Sequence, residues 1–227
     1  MVATIKALSA GDTGDYHMSP QSSDYYTGKA EDRGEFYGKA ATALGLLNKV
    51  TRESFGQILL GNNPKTGESL VSKRSKDRCP GIDLTFSVPN DVSAAWVVAN
   101  KRDKAAIERS IEQSVKETLD FVEKGLDLAR FGRGGHIKDK AGLVAALFKH
   151  FCNRNGDPQL HVHAVVANVV QDKSGGWRHM NTGKCLRGHE HSVHYFDRYL
   201  QNNLRLNYRS NAFKQPAKME NASRGFR

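Results

Sequence analysis

The sequence is poor in cysteine, in acid relative to base, and in long apolar runs. Its three cysteines, Cys79, Cys152 and Cys185, are widely spaced and odd in number. That argues against a disulfide framework and for a reduced, cytoplasmic setting. No apolar run approaches the ~18 residues of a membrane span, and the N-terminus carries no apolar segment of the secretory kind. Internal repeats and low-complexity blocks are also lacking. What remains, 227 residues of which 38% are hydrophobic, suits one sizeable globular domain with a real core. Acid is the scarcer charge: 24 Asp and Glu against 34 Lys and Arg leave a formal +10 and a pI near 9.6. Such a field attracts polyanions, of which nucleic acid is the commonest; the alternative is a basic surface that serves solubility alone.

The stretch from Leu143 to Val170 reads as strand, turn, strand. Val144, Ala146, Phe148 and His150 share one face of the first run if it is extended. Asn153 to Pro158 is dense in turn formers. The second run is rich in β-branched residues and apolar on both faces, as a central strand should be. His161 and His163, two apart, point to one face, and a turn near Gly156 sets His150 opposite them in any register that matches faces. Three neutral imidazoles converging in this way suit a divalent metal with positions left open for substrate. Two half-buried strand histidines and an unrelated third would be the plainer reading of an H-x-H alone. Cys152 shares the face of His150 and reads as a buried free thiol rather than a fourth ligand.

Elsewhere, Val2 to Ser9 alternates weakly as an opening strand. Tyr16-His17 and Tyr25-Tyr26 form two pairs nine residues apart, amid polar and turn-forming residues. Packing tyrosines usually lie in apolar runs, so these look presented rather than buried. Short helices are expected over Gly38 to Leu46 and Thr51 to Leu60, the second capped by Thr51 and stopped at Gly61. The loop from Asn62 to Pro80 is basic, and its Lys73, Arg74 and Lys76 are candidate phosphate contacts; a merely solvated loop is the alternative. Ile82 to Val88 alternates cleanly, with Asp83, Thr85 and Ser87 on the face away from the core. A helix follows Pro89, and the longest helix runs from Asp103 to Leu126, with Glu112 and Lys116 on what reads as a solvated outer face. Leu128 to Phe131 reads as a strand and Trp177 to Met180 as a short segment. His189, His191 and His194 read as exposed. A last helix turns Val193, Phe196, Leu200 and Leu204 inward. From Arg209 the periodicity ends in a basic tail.

A metal on three imidazoles, a basic surface and presented tyrosines together suggest phosphoryl chemistry on nucleic acid. A phenol with a pKa near ~10 is a poor nucleophile at neutral pH and needs a base or nearby positive charge. Asp83, the lone acid on the non-core face of its strand, can take the phenol proton or orient a ligand histidine through its other ring nitrogen.

The run from His150 through Arg154, Asp157-Pro-Gln-Leu-His161-Val-His163 to Asn168 resembles the three-histidine (HUH) signature of MobF-type conjugative relaxases. Gly81-Ile-Asp83-Leu-Thr-Phe-Ser87-Val-Pro89 resembles the block carrying that family's catalytic aspartate. Tyr25-Tyr26, followed by Gly38-Lys39-Ala and Leu44-Gly45-Leu46, resembles its N-terminal tyrosine region. The blocks keep the family's order and similar spacing across residues 11 to about 205. The resemblance implies a single-strand DNA transesterase that nicks one strand at a plasmid transfer origin, stays joined to its 5′ end and later religates it. By position, Tyr16 would be the first nucleophile, Tyr25 the second and Tyr26 accessory. His150, His161 and His163 would hold the metal, Asp83 would support the attack, and Arg154 would contact DNA. Members with four such tyrosines have Tyr-Tyr in the first pair, where this chain has Tyr16-His17. The family usually continues into structure that closes over DNA and then a helicase.

The expected fold is α+β: a central antiparallel sheet with helices packed on one face. The relaxase domain is expected over 1–208, with a basic, disordered or truncated tail over 209–227. Imidazole donors favour Zn, Ni or Cu, and phosphate chemistry in cells often uses Mg or Mn. Implied partners are single-stranded DNA at the transfer origin, accessory transfer proteins, a coupling protein and a C-terminal helicase in a longer chain. The setting would be the bacterial cytoplasm, with passage into the recipient alongside DNA. Three other readings stand beside this one. An HUH replication initiator usually places its tyrosines after the histidines. A basic DNA-binding module with a structural metal would form no covalent adduct. A cupin-like oxygenase has its third histidine after the H-x-H pair, not before it.

Overall fold

The structure is a computed structural model that describes residues 3–9, 34–46, 49–71, 78–133, 136–153, 155–182 and 189–212. Its strands are β1 (Ala3–Ala7), β2 (Gly34–Tyr37), β3 (Gly81–Ser87), β4 (Ala129–Phe131), β5 (Ile137–Asp139), β6 (Ala141–Cys152), β7 (Pro158–Asp172) and β8 (Trp177–Met180). The described helices, in chain order, are α1 (Lys39–Ala43), α2 (Arg52–Leu60), α3 (Asn90–Val98), α4 (Lys101–Gly125) and α5 (His189–Ala212). The last helix runs past Arg209, where the apolar spacing ends.

The β6–β7 hairpin is the spine. β7 pairs antiparallel with β6 on one side and with β3 on the other, and β1 and β2 flank these as outer strands. Beyond the end of β3, β7 pairs with β8, which passes the sheet on to β4 and β5. All these pairings are antiparallel, so the α+β class expected from the sequence is the one observed. β7 is apolar on both faces because both are covered. Leu160, Val162, Ala164 and Val166 join Leu84, Phe86, Ile107, Val115, Leu119 and Phe196 in one core beneath α3, α4 and α5. Val165 and Ala167 join Val144, Ala146, Phe148, Phe55, Ile58 and Leu59 in a second, beneath α1 and α2. The expectation of helices on one face therefore holds for α3, α4 and α5, while α1 and α2 cover the opposite face. The physical reason lies in β6, whose alternate residues are both apolar and so need cover on both sides.

Local signals set the helix ends. Thr51 accepts from the Ser54 amide while Ser54 accepts from the Thr51 amide, closing a capping box on α2, and Gly61 ends it in the left-handed conformation at φ 82°. Asn100 caps α4 through the Asp103 amide.

The four-residue strand β2 escaped the sequence reading. It has little periodicity of its own and forms because β6 offers an edge and α4 a polar clamp. Lys116 bridges Glu35 at 3.0 Å and Glu112 at 2.7 Å, and Glu112 also meets Lys149 of β6. Tyr37 donates to Asp120 at 2.8 Å. Buried Glu123 accepts from the amides of Lys39 and Leu143, each at 2.9 Å. The polar row on α4 is thus not the ordinary solvated face its composition suggests; Glu112 and Lys116 are half-buried and hold two strands.

Candidate metal centre

The register of three strands builds the site. Across the sheet, Thr4, Thr85, His163, Phe148 and Gly34 fall in one line, each opposite the next. Two pairs further along, His150 lies opposite His161, which lies opposite Ser87. Directly opposed residues share a face, so the three histidines, Asp83, Thr85 and Ser87 all emerge on the α1–α2 side. Phe148 forms the inner wall and packs edge-on against Phe55, ring centroids 5.2 Å apart.

The imidazole rings of His150, His161 and His163 lie 5.0–5.2 Å apart between centroids. One nitrogen from each lies within 4.8 Å of the others, and this is the described group of ligand-type side chains close enough to share an ion. His150 and His163 are buried, at 7% and 8% exposure, and His161 is half-buried.

The outer nitrogens decide which lone pairs face inward. His161 Nδ1 lies 2.8 Å from the carbonyl oxygen of Gln159. A carbonyl only accepts, so Nδ1 carries the proton and Nε2 the lone pair. His163 Nδ1 lies 2.8 Å from Asp83 Oδ2 and 3.1 Å from Oδ1, which assigns it the same tautomer. Burial lowers the pKa of His161, with smaller opposing contributions from Gln159 and Asp83. The neutral ring that a cation needs is therefore the favoured one. Two Nε2 donors supported on their far side, and a third imidazole beside them, are the donor set of a divalent transition metal with open positions.

The sequence expectations sort cleanly. His150, His161 and His163 come together. Asp83 reaches His163 through its outer ring nitrogen, one of the two positions open to it. Cys152 is a buried free thiol outside the cluster. Arg78, one of the cations of the basic loop, turns inward: it donates to the Leu59 carbonyl at 2.6 Å and the Asn168 carbonyl at 2.9 Å. Tyr16, His17, Tyr25, Tyr26, Lys73, Arg74, Lys76, Arg154 and Cys185 lie outside the described residues, as do the side chains of His189 and His191. His194 is exposed. Sequence reasoning gave no role to Thr85, whose hydroxyl is 3.1 Å from His163 Nδ1; its place two residues after Asp83 on the same strand face was the available signal. Gln159 acts through its carbonyl, which no side-chain pattern reveals.

Residues 10–223 match the TrwC relaxase family. The chain belongs to that family. Among curated proteins it is 32% identical over 188 residues to the multifunctional conjugation protein TraI of Escherichia coli K12, covering 81% of this chain. The match spans only 10% of TraI's own length. Among solved structures, this family member resembles the conjugative relaxase TrwC in its metal-bound complex with oriT DNA, at 28% identity and a TM-score of 0.75. That likeness covers 90% of this chain and 70% of the other. The metal-free TrwC complex with oriT DNA gives 26% identity and a TM-score of 0.73, over 97% and 73% of the two chains. Among the described residues no helix is long and apolar enough to cross a membrane.

Proposed function

We propose that this chain is a metal-dependent relaxase domain that nicks one strand of DNA at a plasmid transfer origin through a tyrosine and later rejoins it. The observation that carries the reading is the convergence of His150, His161 and His163 on one sheet face, with Asp83 on the outer nitrogen of His163. The structures of TrwC with oriT DNA, one of them metal-bound, support the same substrate and cofactor class.

The Nε2 atoms of His161 and His163, with one ring nitrogen of His150, would hold a divalent ion, which when bound acts as a Lewis acid on the non-bridging oxygens of the scissile phosphate. Mg or Mn serves this role in phosphate chemistry, and Zn, Ni and Cu suit the imidazole donors. Every other part of the step falls to the protein. The Tyr16 oxygen attacks phosphorus in line as the bond from phosphorus to the 3′ oxygen breaks. The phenol proton passes to Asp83, the acid on this face, and the departing 3′ oxygen takes up a proton from solvent. The 5′ portion stays on Tyr16 as a phosphodiester, and reversal of the step rejoins the strand. Tyr25 is the second nucleophile in this scheme, with Tyr26 beside it. The chain re-enters the sheet at Gly34, in line with Phe148 and His163. Tyr25 and Tyr26 precede that point by a stretch that spans up to ~30 Å when extended. Arg154, between the described residues Asn153 and Asn155 at the hairpin turn, contacts DNA near the scissile phosphate. Lys73, Arg74 and Lys76 contact the DNA backbone. Single-stranded transfer-origin DNA is the substrate. Accessory transfer proteins, a coupling protein and a helicase in a longer chain are the partners. The reaction starts in the bacterial cytoplasm.

The test uses tiled single-stranded oligonucleotides from the protein's own replicon, with and without chelator, on denaturing gels. The expected result is a metal-dependent protein band shifted by covalent DNA, absent in Tyr16→Phe. A band that survives Tyr16→Phe and vanishes in Tyr25→Phe reassigns the nucleophile. Binding without an adduct on any tile, in wild type, overturns the catalytic reading for this chain.

A further inference from the structure

Three acceptor atoms surround the single outer nitrogen of His163. Asp83 Oδ2 lies at 2.8 Å, Asp83 Oδ1 at 3.1 Å and Thr85 Oγ1 at 3.1 Å. A neutral imidazole has one N–H to give there. The carboxylate alone suffices to hold it, so the third acceptor is more than orientation by Asp83 requires. Thr85 stands directly opposite His163 on the neighbouring strand. Its position is therefore set by backbone pairing, whereas Asp83 reaches the ring diagonally from two pairs away, where it lies opposite Val165. A β-branched side chain on a strand has few rotamers. The hydroxyl is thus held where it stands by the backbone and by its own stiffness.

We propose that Thr85 is a positioning residue for the metal centre: its hydroxyl is a second, backbone-fixed acceptor that keeps the proton of His163 on Nδ1 and its Nε2 aimed at the ion. This rests on the metal reading given above. The two supports are redundant by design of the strand: positions 83 and 85 flank the ring from one face, and either can accept the same N–H. Asp83 supplies charge and raises the basicity of Nε2. Thr85 supplies direction, and leaves ring orientation independent of whether the carboxylate is engaged with another donor. Outer partners of metal-bound histidines typically change metal affinity by about 10–100-fold when removed. A shared role predicts a loss at the lower end for either single removal and a larger loss for both.

The experiment is a double-mutant cycle on the full chain, with Ni2+ and Mn2+ binding measured by titration calorimetry in the absence of DNA. Thr85→Val keeps the shape and strand preference while deleting the hydroxyl. It is expected to weaken binding several-fold with an unchanged unfolding midpoint. Thr85→Ser restores the hydroxyl and is expected to bind as wild type does, a rescue that a purely packing role would not give. In an Asp83→Ala background, Thr85→Val is expected to cost more than it does alone, since the first support is already gone. Equal affinity of wild type and Thr85→Val in both backgrounds overturns the proposal. So does failure of Thr85→Ser to rescue. If Thr85→Val does not fold, Thr85→Ser and Thr85→Ala in the Asp83→Ala background carry the comparison. Absence of binding by wild type itself, unchanged by His161→Ala, would instead sink the metal reading on which the proposal rests.

Discussion

At the scale of single residues, the site is governed by which ring nitrogen carries a proton. Gln159 and Asp83 take that decision for His161 and His163 by occupying Nδ1. Burial adds to it for His161, whose pKa lies below the ordinary 6.5. Because the folded pKa is below the unfolded one, the neutral ring favours folding at and above about pH 6.5, and this contribution is lost as pH falls through the depressed value. In metal-free protein, wild type is therefore expected to lose stability relative to His161→Gln as pH falls from 7.5 to 5. Urea midpoints of the two proteins in chelator measure it. A constant difference across that range would mean that His161 titrates as it does in the unfolded chain.

At the scale of elements, the sheet face is made usable by what holds its outer strand. β2 begins at Gly34, where a Cβ would come within 2.8 Å of the Val50 Cβ and 2.9 Å of the Phe148 ring. Glycine lets the returning chain lie flat against the wall of the site. The row Glu112, Lys116, Asp120 and Glu123 on α4 then fastens β2 and β6. Burial would raise the pKa of Glu112, but its bonds to Lys116 and Lys149 outweigh that and bring it down to about 2 from 4.5. The sign follows from a folded pKa below the unfolded one: the stabilisation is present above about pH 4.5 and lost as pH falls toward 2. Glu112→Gln is expected to cost about 1 kcal/mol at pH 7, a figure discounted because the group is partly exposed to screening solvent. The gap from wild type should close between pH 4.5 and 2, read by thermal or urea unfolding. A gap that persists at pH 2 would assign the loss to packing.

At the scale of the whole molecule, the formal charge of +10 governs affinity for a polyanion. Binding of single-stranded DNA releases counterions, so log K falls with log salt at a slope of about 0.7 per phosphate neutralised. If Lys73, Arg74 and Lys76 each meet a phosphate, replacing all three with Gln is expected to lower that slope by about 2. It should weaken binding at low salt while leaving metal affinity unchanged. Fluorescence anisotropy over a salt series tests this, and an unchanged slope would remove the loop from the interface.

The sequence by itself determined the elements whose causes are local. The capped ends of α2, the alternation of β3 and the turn of the central hairpin were all legible, because capping, periodicity and turn chemistry act within a few residues. The convergence of the three histidines was legible too, since a short hairpin leaves few registers and only those that match faces bury the core. Tertiary structure alone decided the rest. β2 exists only because β6 has a free edge and α4 a polar clamp, both distant in sequence. The polar row on α4 reads as surface until Glu35, Tyr37, Lys39, Leu143 and Lys149 are brought to it. Arg78 reads as one more cation of a basic loop until two carbonyls from separate elements claim its guanidinium. Thr85 gains its place at His163 from strand pairing between segments some eighty residues apart. In each case the partner is far along the chain, and only the fold's long-range pairing supplies it.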